Sequence, residues 1–445
     1  MTRWKMVLAA SAAAALLLGT SGCSATGADP DSCTAPIVHR DAPRVTVWGW
    51  WNAMGDVVEQ FNQAHDNVQV CWTNVGQSAD EYPKLRTAFA AQTGAPDIVM
   101  IENEQLNSFA VNGSILDLAP YGVSEAKAEF TEGAWQNVSV GDRVLAVPVD
   151  GGPVGLYYRA DLLAKAGIDA PPKTWEEYAE QAEQYRKTVK DGTYGNFSAN
   201  TPSLALSLFQ QAGNTAFSYD AKDPNALRIS LDDKATRKVT TYWHDLIEKG
   251  AVDHVDAFTT DNSTMLASGL QATYIGASWG TGVLAGLADA GSGADWRVAP
   301  LPQWDTDNPV SVQWGGSSLA VTKQAADPKL ATRVALELYG SEKAMDTEIA
   351  AGDLFPTRLD KLNDSAYADK AWPFFGGQKI VADVFAPAAA AFKGQTFSPF
   401  SGYLYPTVQE ALTAVAQGKA DPDKALAGLQ SDVVNYVEQQ GVTVR

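Results

Sequence analysis

Three acids, four tryptophans beside turn residues and one Gly-x-Ser-x-Gly run are the parts of this 445-residue chain whose types and spacing could do chemistry. Glu102, Glu104 and Asp150 admit three readings. Two carboxyl groups facing one sugar bond can hydrolyse it. An ionised carboxylate, which only accepts hydrogen bonds, can instead orient a donor-rich ligand. Or all three are solvated loop acids. Trp50, Trp51, Trp279 and Trp314 stand beside glycines or other turn residues. A flat indole covers the C–H face of a pyranose ring without polar partners and donates through its N–H when buried. Many of the tryptophans must nevertheless fill core.

Gly276-Ala277-Ser278-Trp279-Gly280 has the spacing of a nucleophile elbow. In the hydrolases that use this elbow the base histidine follows the serine, whereas His39, His65, His244 and His254 all precede Ser278. No catalytic residue is therefore assigned. His254, between Asp253 and Asp256, reads as loop polarity. Cys33 and Cys71, with no close histidine pair, make no zinc pattern. Neither a metal nor a cofactor is expected.

The N-terminus sets the compartment. Arg3 and Lys5 precede an apolar run over residues 6–18, and Thr20-Ser21-Gly22-Cys23 follows. The run is too short to span a bilayer of about 30 Å, so residues 1–22 read as a cleaved signal peptide. Cleavage leaves Cys23 for a diacylglyceryl anchor, the alternative being plain secretion with Cys23 unmodified; Thr20 departs from the aliphatic residue usual at that place. The remaining 423 residues carry 31 cations against 52 acids, a net charge of −21. That charge excludes nucleic acid as a partner, because phosphates need a basic footprint. Their number exceeds what one hydrophobic core organises, so two lobes are expected. Outside the reducing cytoplasm Cys33 and Cys71 are expected to pair.

Residues 23–43, small and polar, read as a lipid-anchored tether, with order beginning near Arg44. Strand-like runs at 45–48, 68–72 and 97–101 alternate with helical patterns, the first carrying Met54, Val57, Val58 and Phe61 on one face. Such alternation builds a parallel sheet whose ligands gather beyond the carboxyl ends of the strands. The loops at those ends hold Trp50, Trp51 and Asn52, then residues 73–77, then Glu102 to Glu104. Gly151-Gly152-Pro153 suits a chain leaving one lobe for another. Thr174 with Glu177 makes a capping box, and residues 200–288 read as mostly helical.

Several stretches carry a family resemblance by their order and spacing. They are Ala95-Pro96-Asp97-Ile98-Val99, the run from Ala110 to Leu118, Val147-Pro148-Val149-Asp150, the run from Leu156 to Leu163, and Pro171-Pro172-Lys173-Thr174-Trp175-Glu176-Glu177. From about residue 44 to near its end the chain resembles the extracellular solute-binding proteins of bacterial ABC sugar importers, the maltose-binding-protein-like group. The resemblance implies an α/β, two-lobe periplasmic-binding-protein-like (type II) fold. Lobe 1 is expected over 44–149 and 297–343, lobe 2 over 150–296 and 344–445, with the cleft between them. It also implies that Glu104 and Asp150 bind sugar hydroxyls, that Trp279 lies near the family's second-lobe indole, that Trp314-Gly315-Gly316 lies near the loop closing the cleft, and that Arg358 lies near a common polar contact. Tyr403 and Tyr405 lie close to an aromatic platform where the family usually has tryptophan. The implied function is an extracytoplasmic, monomeric lipoprotein that binds a carbohydrate, an oligosaccharide above all, and delivers it to an importer permease. The rival expectation is a secreted glycosidase using Glu104 and Asp150.

Overall fold

The computed structural model describes residues 33–220, 223–288, 294–352 and 354–445, so the segment expected to be a signal peptide, and Cys23, lie outside the described residues. Three β-strands, β1 (Arg44–Trp48), β2 (Gln69–Thr73) and β3 (Ile98–Glu102), are joined by helices α1 (Met54–Ala64) and α2 (Ser78–Ala91), and α3 (Asn103–Val111) follows. β1 pairs in parallel with both neighbours. Helix α1 buries Met54, Val57, Val58 and Phe61, the face its spacing predicts. Strand Ser317–Val321 returns antiparallel to β3 and carries Val147–Pro148 on its far side, completing a five-stranded sheet. Helices Pro328–Leu338 and Glu342–Ala350 pack on this first lobe.

The second lobe is organised around the antiparallel sheet Thr273–Ala277, Val154–Arg159, Trp296–Pro300, with Val154–Arg159 in the middle. Beside it Trp175 touches Tyr178, Tyr242, Trp243 and Trp304 edge-on or tilted. Aromatic pairs of this kind add about 1 kcal/mol each beyond area burial. Helix Trp175–Thr188 starts as its capping box predicts: Thr174 Oγ1 accepts from the Glu177 N–H at 3.0 Å.

Four expectations need correction. Residue 297 does not begin the return to lobe 1, because Trp296–Pro300 pairs with Val154–Arg159. Helix Glu342–Ala350, whose larger part was assigned to lobe 2, belongs to lobe 1, where Glu348 Oε1 accepts from Ala53 N–H at 3.0 Å and Gln60 bonds Thr347. An apolar run states that it is buried but not against which neighbour. The stretch 200–288 also carries strands Phe217–Asp220, Asp223–Ile229 and Thr273–Ala277. Finally, residues from Cys33 on, expected to belong to a loose tether, are held against the first lobe. The Cys33–Cys71 disulfide joins the start of the chain to β2, Thr34 N–H donates to Trp72 O at 2.8 Å, and Val38 and His39 N–H both donate to Gln69 Oε1. Composition weighs side chains, whereas this segment is held through its backbone.

The chain crosses between lobes near residues 149–154, 312–317 and 354–357. Trp314 N–H donates to Gly152 O at 2.8 Å, Asp150 N–H to Ser317 O at 3.0 Å, and Gly151 N–H to Phe355 O at 2.9 Å. A Cβ on Gly152 would lie 2.0 Å from Trp314 O, so only glycine fits there.

Closing a loop of 38 residues, the disulfide is worth about 3–4 kcal/mol. Replacing Cys33 and Cys71 together by Ser should lower stability by that amount in urea unfolding. A midpoint equal to wild type would show the link to be ornamental.

Candidate functional site

The first lobe presents its groups where strands end. β3 finishes at Glu102 and α3 begins at the next residue, so Asn103 and Glu104 form a helical first turn rather than a loop. An acid in that turn faces the positive end of the helix dipole. Glu102 Oε2 accepts from Ser78 Oγ at 2.9 Å and from Tyr82 Oη at 3.1 Å. The Tyr82 ring meets Trp50 edge-on at 6.1 Å. Asn103 is buried: its N–H donates to Gly316 O and its Oδ1 accepts from Ser318 Oγ. Asn52 is exposed on the same rim.

The second lobe supplies rings. Trp279 follows strand Thr273–Ala277, and Trp314 lies in the crossing segment. Their centroids are 4.6 Å apart at 66°, and Phe258 stands 6.0 Å from each. Trp279 Nε1 donates to Trp314 O at 3.2 Å, and Trp314 Nε1 donates to Ser203 Oγ at 3.1 Å. Phe258 is 57 % exposed at φ +64°, a conformation that costs a bulky residue about 1–3 kcal/mol. Gly315 and Gly316 have φ of +79° and +96°, and a Cβ at Gly316 would meet Asp150 O at 2.8 Å. These two glycines steer the backbone past the hinge.

The lobes meet at Glu104. Its carboxyl group lies beside Ser203 and Tyr405 of the second lobe, all three lining one small void. Enclosure there pushes Glu104 up to about 8; the nearby Glu102 adds to this, and the two hydroxyls oppose it. Glu102 is likewise raised by burial, with Ser78 and Tyr82 opposing. The void lined by Glu104, Ser203, Gln313, Gly315 and Tyr405 is only about 10 Å³, at most one water. Three further bonds cross beside it: Asn107 Nδ2 to Phe397 O at 2.7 Å, Ser401 Oγ to Gln105 Oε1 at 2.7 Å, and Gln395 N–H to Asn137 Oδ1 at 2.9 Å. The lobes are closed on one another. On one side of the seam contacts lead from Trp50 through Tyr82 to Glu102, and on the other from Ser203 to Trp314, Trp279 and Phe258, with Glu104 beside Ser203 between them.

Other expected residues stand apart from that run. Trp51 is 4 % exposed and packs edge-on against Tyr339 at 5.0 Å in the first core. Asp150 is buried in the hinge, where its Oδ1 accepts from Phe355 N–H at 2.8 Å. A carboxylate so placed lacks the access to solvent and substrate that a glycosidase acid needs. Arg358 is tied to Glu129 at 2.8 Å and to Asp360 at 2.8 Å. Tyr403 stacks on Tyr436 at 3.9 Å, whereas Tyr405, two residues on, reaches Glu104. Ser278 Oγ is buried with no hydrogen-bond partner, so no base addresses it. The glycines of its motif are explained by packing: Cβ atoms at Gly276 and Gly280 would meet the rings of Tyr274 and Tyr157. Among the described residues no three His, Cys, Asp or Glu side chains are grouped so as to hold a metal ion.

Sequence reasoning missed Ser203, Phe258, Ser78 and Tyr82. Phe258 had one signal, a lone aromatic between Asp256-Ala257 and Thr259-Thr260. Ser203 had none, since its role depends on Trp314, 111 residues away.

A lactose-binding protein of Rhizobium radiobacter is 24 % identical over 420 residues, spanning 89 % of this chain and 94 % of that one. Among solved structures, the ABC-transporter-associated binding protein of B. animalis subsp. lactis Bl-04, in complex with β-1,6-galactobiose, superposes with a TM-score of 0.77 at 24 % identity, covering 91 % of this chain and all of that one. The galacto-N-biose/lacto-N-biose I-binding protein of Bifidobacterium longum, in complex with lacto-N-biose, gives 0.80 at 19 % identity over 91 % and 99 %. Two lobes around a cleft are thus the shared architecture. The sequence model of the bacterial extracellular solute-binding proteins matches residues 52–346, and the chain belongs to that family.

Proposed function

We propose that this protein holds a carbohydrate, an oligosaccharide of two or more units, between its closing lobes and hands it to the permease of an ABC importer. One observation carries the reading: Glu104 of the first lobe lines one small void with Ser203 and Tyr405 of the second, and Ser203 bonds Trp314, whose ring packs with Trp279 and Phe258. Rings cover sugar faces, and carboxyl and hydroxyl groups pair with sugar hydroxyls. Relatives named for lactose, β-1,6-galactobiose and lacto-N-biose support the same class of cargo.

Binding is a contest for Glu104. In the closed protein Ser203 and Tyr405 crowd it, so an entering sugar displaces those hydroxyls and spreads the lobes enough to lodge. Ligand then favours whichever interlobe arrangement it touches on both sides, by its differential affinity alone. A micromolar site needs about −8 kcal/mol. Two or three ring faces and several hydrogen bonds, each worth about 1 kcal/mol beyond area burial, supply it. Trp50 and Asn52 line the first-lobe side of this reading, with Asp150, Gly315 and Gly316 shaping the hinge instead. The N-terminal pattern supports a protein held to the membrane by lipid on Cys23. Against the hydrolase reading stands the Asp150 carboxyl group, buried in the hinge and accepting from Phe355 N–H.

Screening by thermal shift against lactose, β-1,6-galactobiose, lacto-N-biose and longer oligosaccharides should find at least one that raises the melting temperature. Silence across such a panel, or release of monosaccharides during incubation, would sink the receptor reading. Trp279→Ala, at a half-buried ring, should erase the shift with little change in the unliganded protein. Phe258→Gly relieves a positive φ, so unliganded stability should hold within about 1 kcal/mol while sugar affinity falls several-fold. Trp314→Ala, at a ring only 7 % exposed, should cost about 3–5 kcal/mol in chemical denaturation. Cys23→Ala should move the protein from the membrane fraction to the medium.

A further inference from the structure

Behind the seam lies an excess of acid. Glu81, on α2, is completely buried, and neither of its carboxyl oxygens has a hydrogen-bond partner. It faces Glu102, which in turn acts on Glu104. The groups around these three come from four elements. α2 contributes Ser78, Tyr82 and Lys84; β3 contributes Glu102; the second lobe contributes Ser203 and Tyr405. Lys84 is the one cation among them, and its ammonium is exposed and bonded to Val75 O. Arg86, the next cation along α2, lies over the Phe109 ring instead. Tyr82 and Tyr405 are phenols held neutral by burial and by the acids beside them.

The three acids differ in one respect. Glu81 is buried within the first lobe and Glu102 is bonded there to Ser78 and Tyr82, so those contacts persist when the lobes part. Glu104 alone reaches across, to Ser203 and Tyr405, in a void too small for more than one water. Separating the lobes returns its carboxyl group to solvent. A carboxylate cannot keep its charge cheaply when water leaves and another carboxylate stays nearby.

We propose that closure of the unliganded protein takes up a proton at Glu104, so that the lobes open as the pH rises. Protonated, the group accepts from one hydroxyl and donates to the other; ionised, it must accept from both in a closed, acid-lined space. The sign follows from burial. In the closed form Glu104 is held up to about 8, and in the open form it returns towards the ordinary carboxylate range near 4. The proton-linked advantage of closure is therefore complete below that ordinary range and gone above about 8. Between the two, the closed-to-open ratio falls about tenfold per pH unit. The inference concerns the empty protein and stands apart from the identity of its cargo.

Small-angle scattering of the full, sugar-free protein from pH 5 to 9 tests it. The radius of gyration should grow with pH along a one-proton curve. Glu104→Gln, neutral at every pH, should stay compact throughout. Glu81→Gln, which touches neither the second lobe nor the ring cluster, should still open with rising pH. A wild-type radius independent of pH would overturn the proposal without any variant being made. A Glu104→Gln protein that opens along the wild-type curve would overturn it equally.

Discussion

Gly152 and Trp314 meet backbone to backbone, with no space for even one side-chain carbon. The rest of the molecule is arranged about that contact. The crossing segments bond to one another there, through Asp150 to Ser317 and Gly151 to Phe355, so the lobes share a narrow backbone pivot beside the seam on which they close. Trp314 lies in the pivot itself and also belongs to the ring cluster. Relative motion of the lobes is therefore registered directly by a ring that faces the seam. Asp150, which the family pattern casts as a sugar acceptor, contributes instead by fixing Phe355.

Around the pivot the two halves contribute unlike chemistry. The first lobe brings acids, Glu102 and Glu104, positioned by a strand that turns into a helix without an intervening loop. The second brings flat rings and hydroxyls. Neither set suffices alone: rings cover a sugar face without telling one hydroxyl pattern from another, and acids discriminate hydroxyls while providing little area. Assembling both sets requires closure, so selectivity and conformational change share one set of bonds. The same bonds desolvate Glu104 beside Glu102, which is why charge and closure cannot be independent here.

Local periodicity made most of the architecture legible. The 3.6-residue spacing of Met54, Val57, Val58 and Phe61, the strand runs that end at Trp48, Thr73 and Glu102, and the Thr174 cap all appear where pattern places them. Lobe membership was not legible for Trp296–Pro300 or Glu342–Ala350, because their patterns specify burial without a partner. At the site, loop position at a strand end located Trp50, Glu102 and Glu104. It did not tell Trp50 from Trp51, adjacent residues of which one turns into the core against Tyr339. The family pattern likewise pointed to Tyr403 and Tyr405 together, yet two residues along a helix face nearly opposite ways, and only Tyr405 reaches Glu104. Ser203 depends on a bond over 111 residues of chain, a relation no local window contains.

The Cys33–Cys71 bond has a mechanical side. β2 is the outer strand of the first-lobe sheet, on the edge opposite Val147–Pro148 and so away from the strands that lead into the pivot. Tension applied at the beginning of the chain enters through Cys71 and is borne by the β1–β2 ladder as shear. That edge lies apart from the crossing segments, so a load on the start of the chain enters the first lobe away from the hinge.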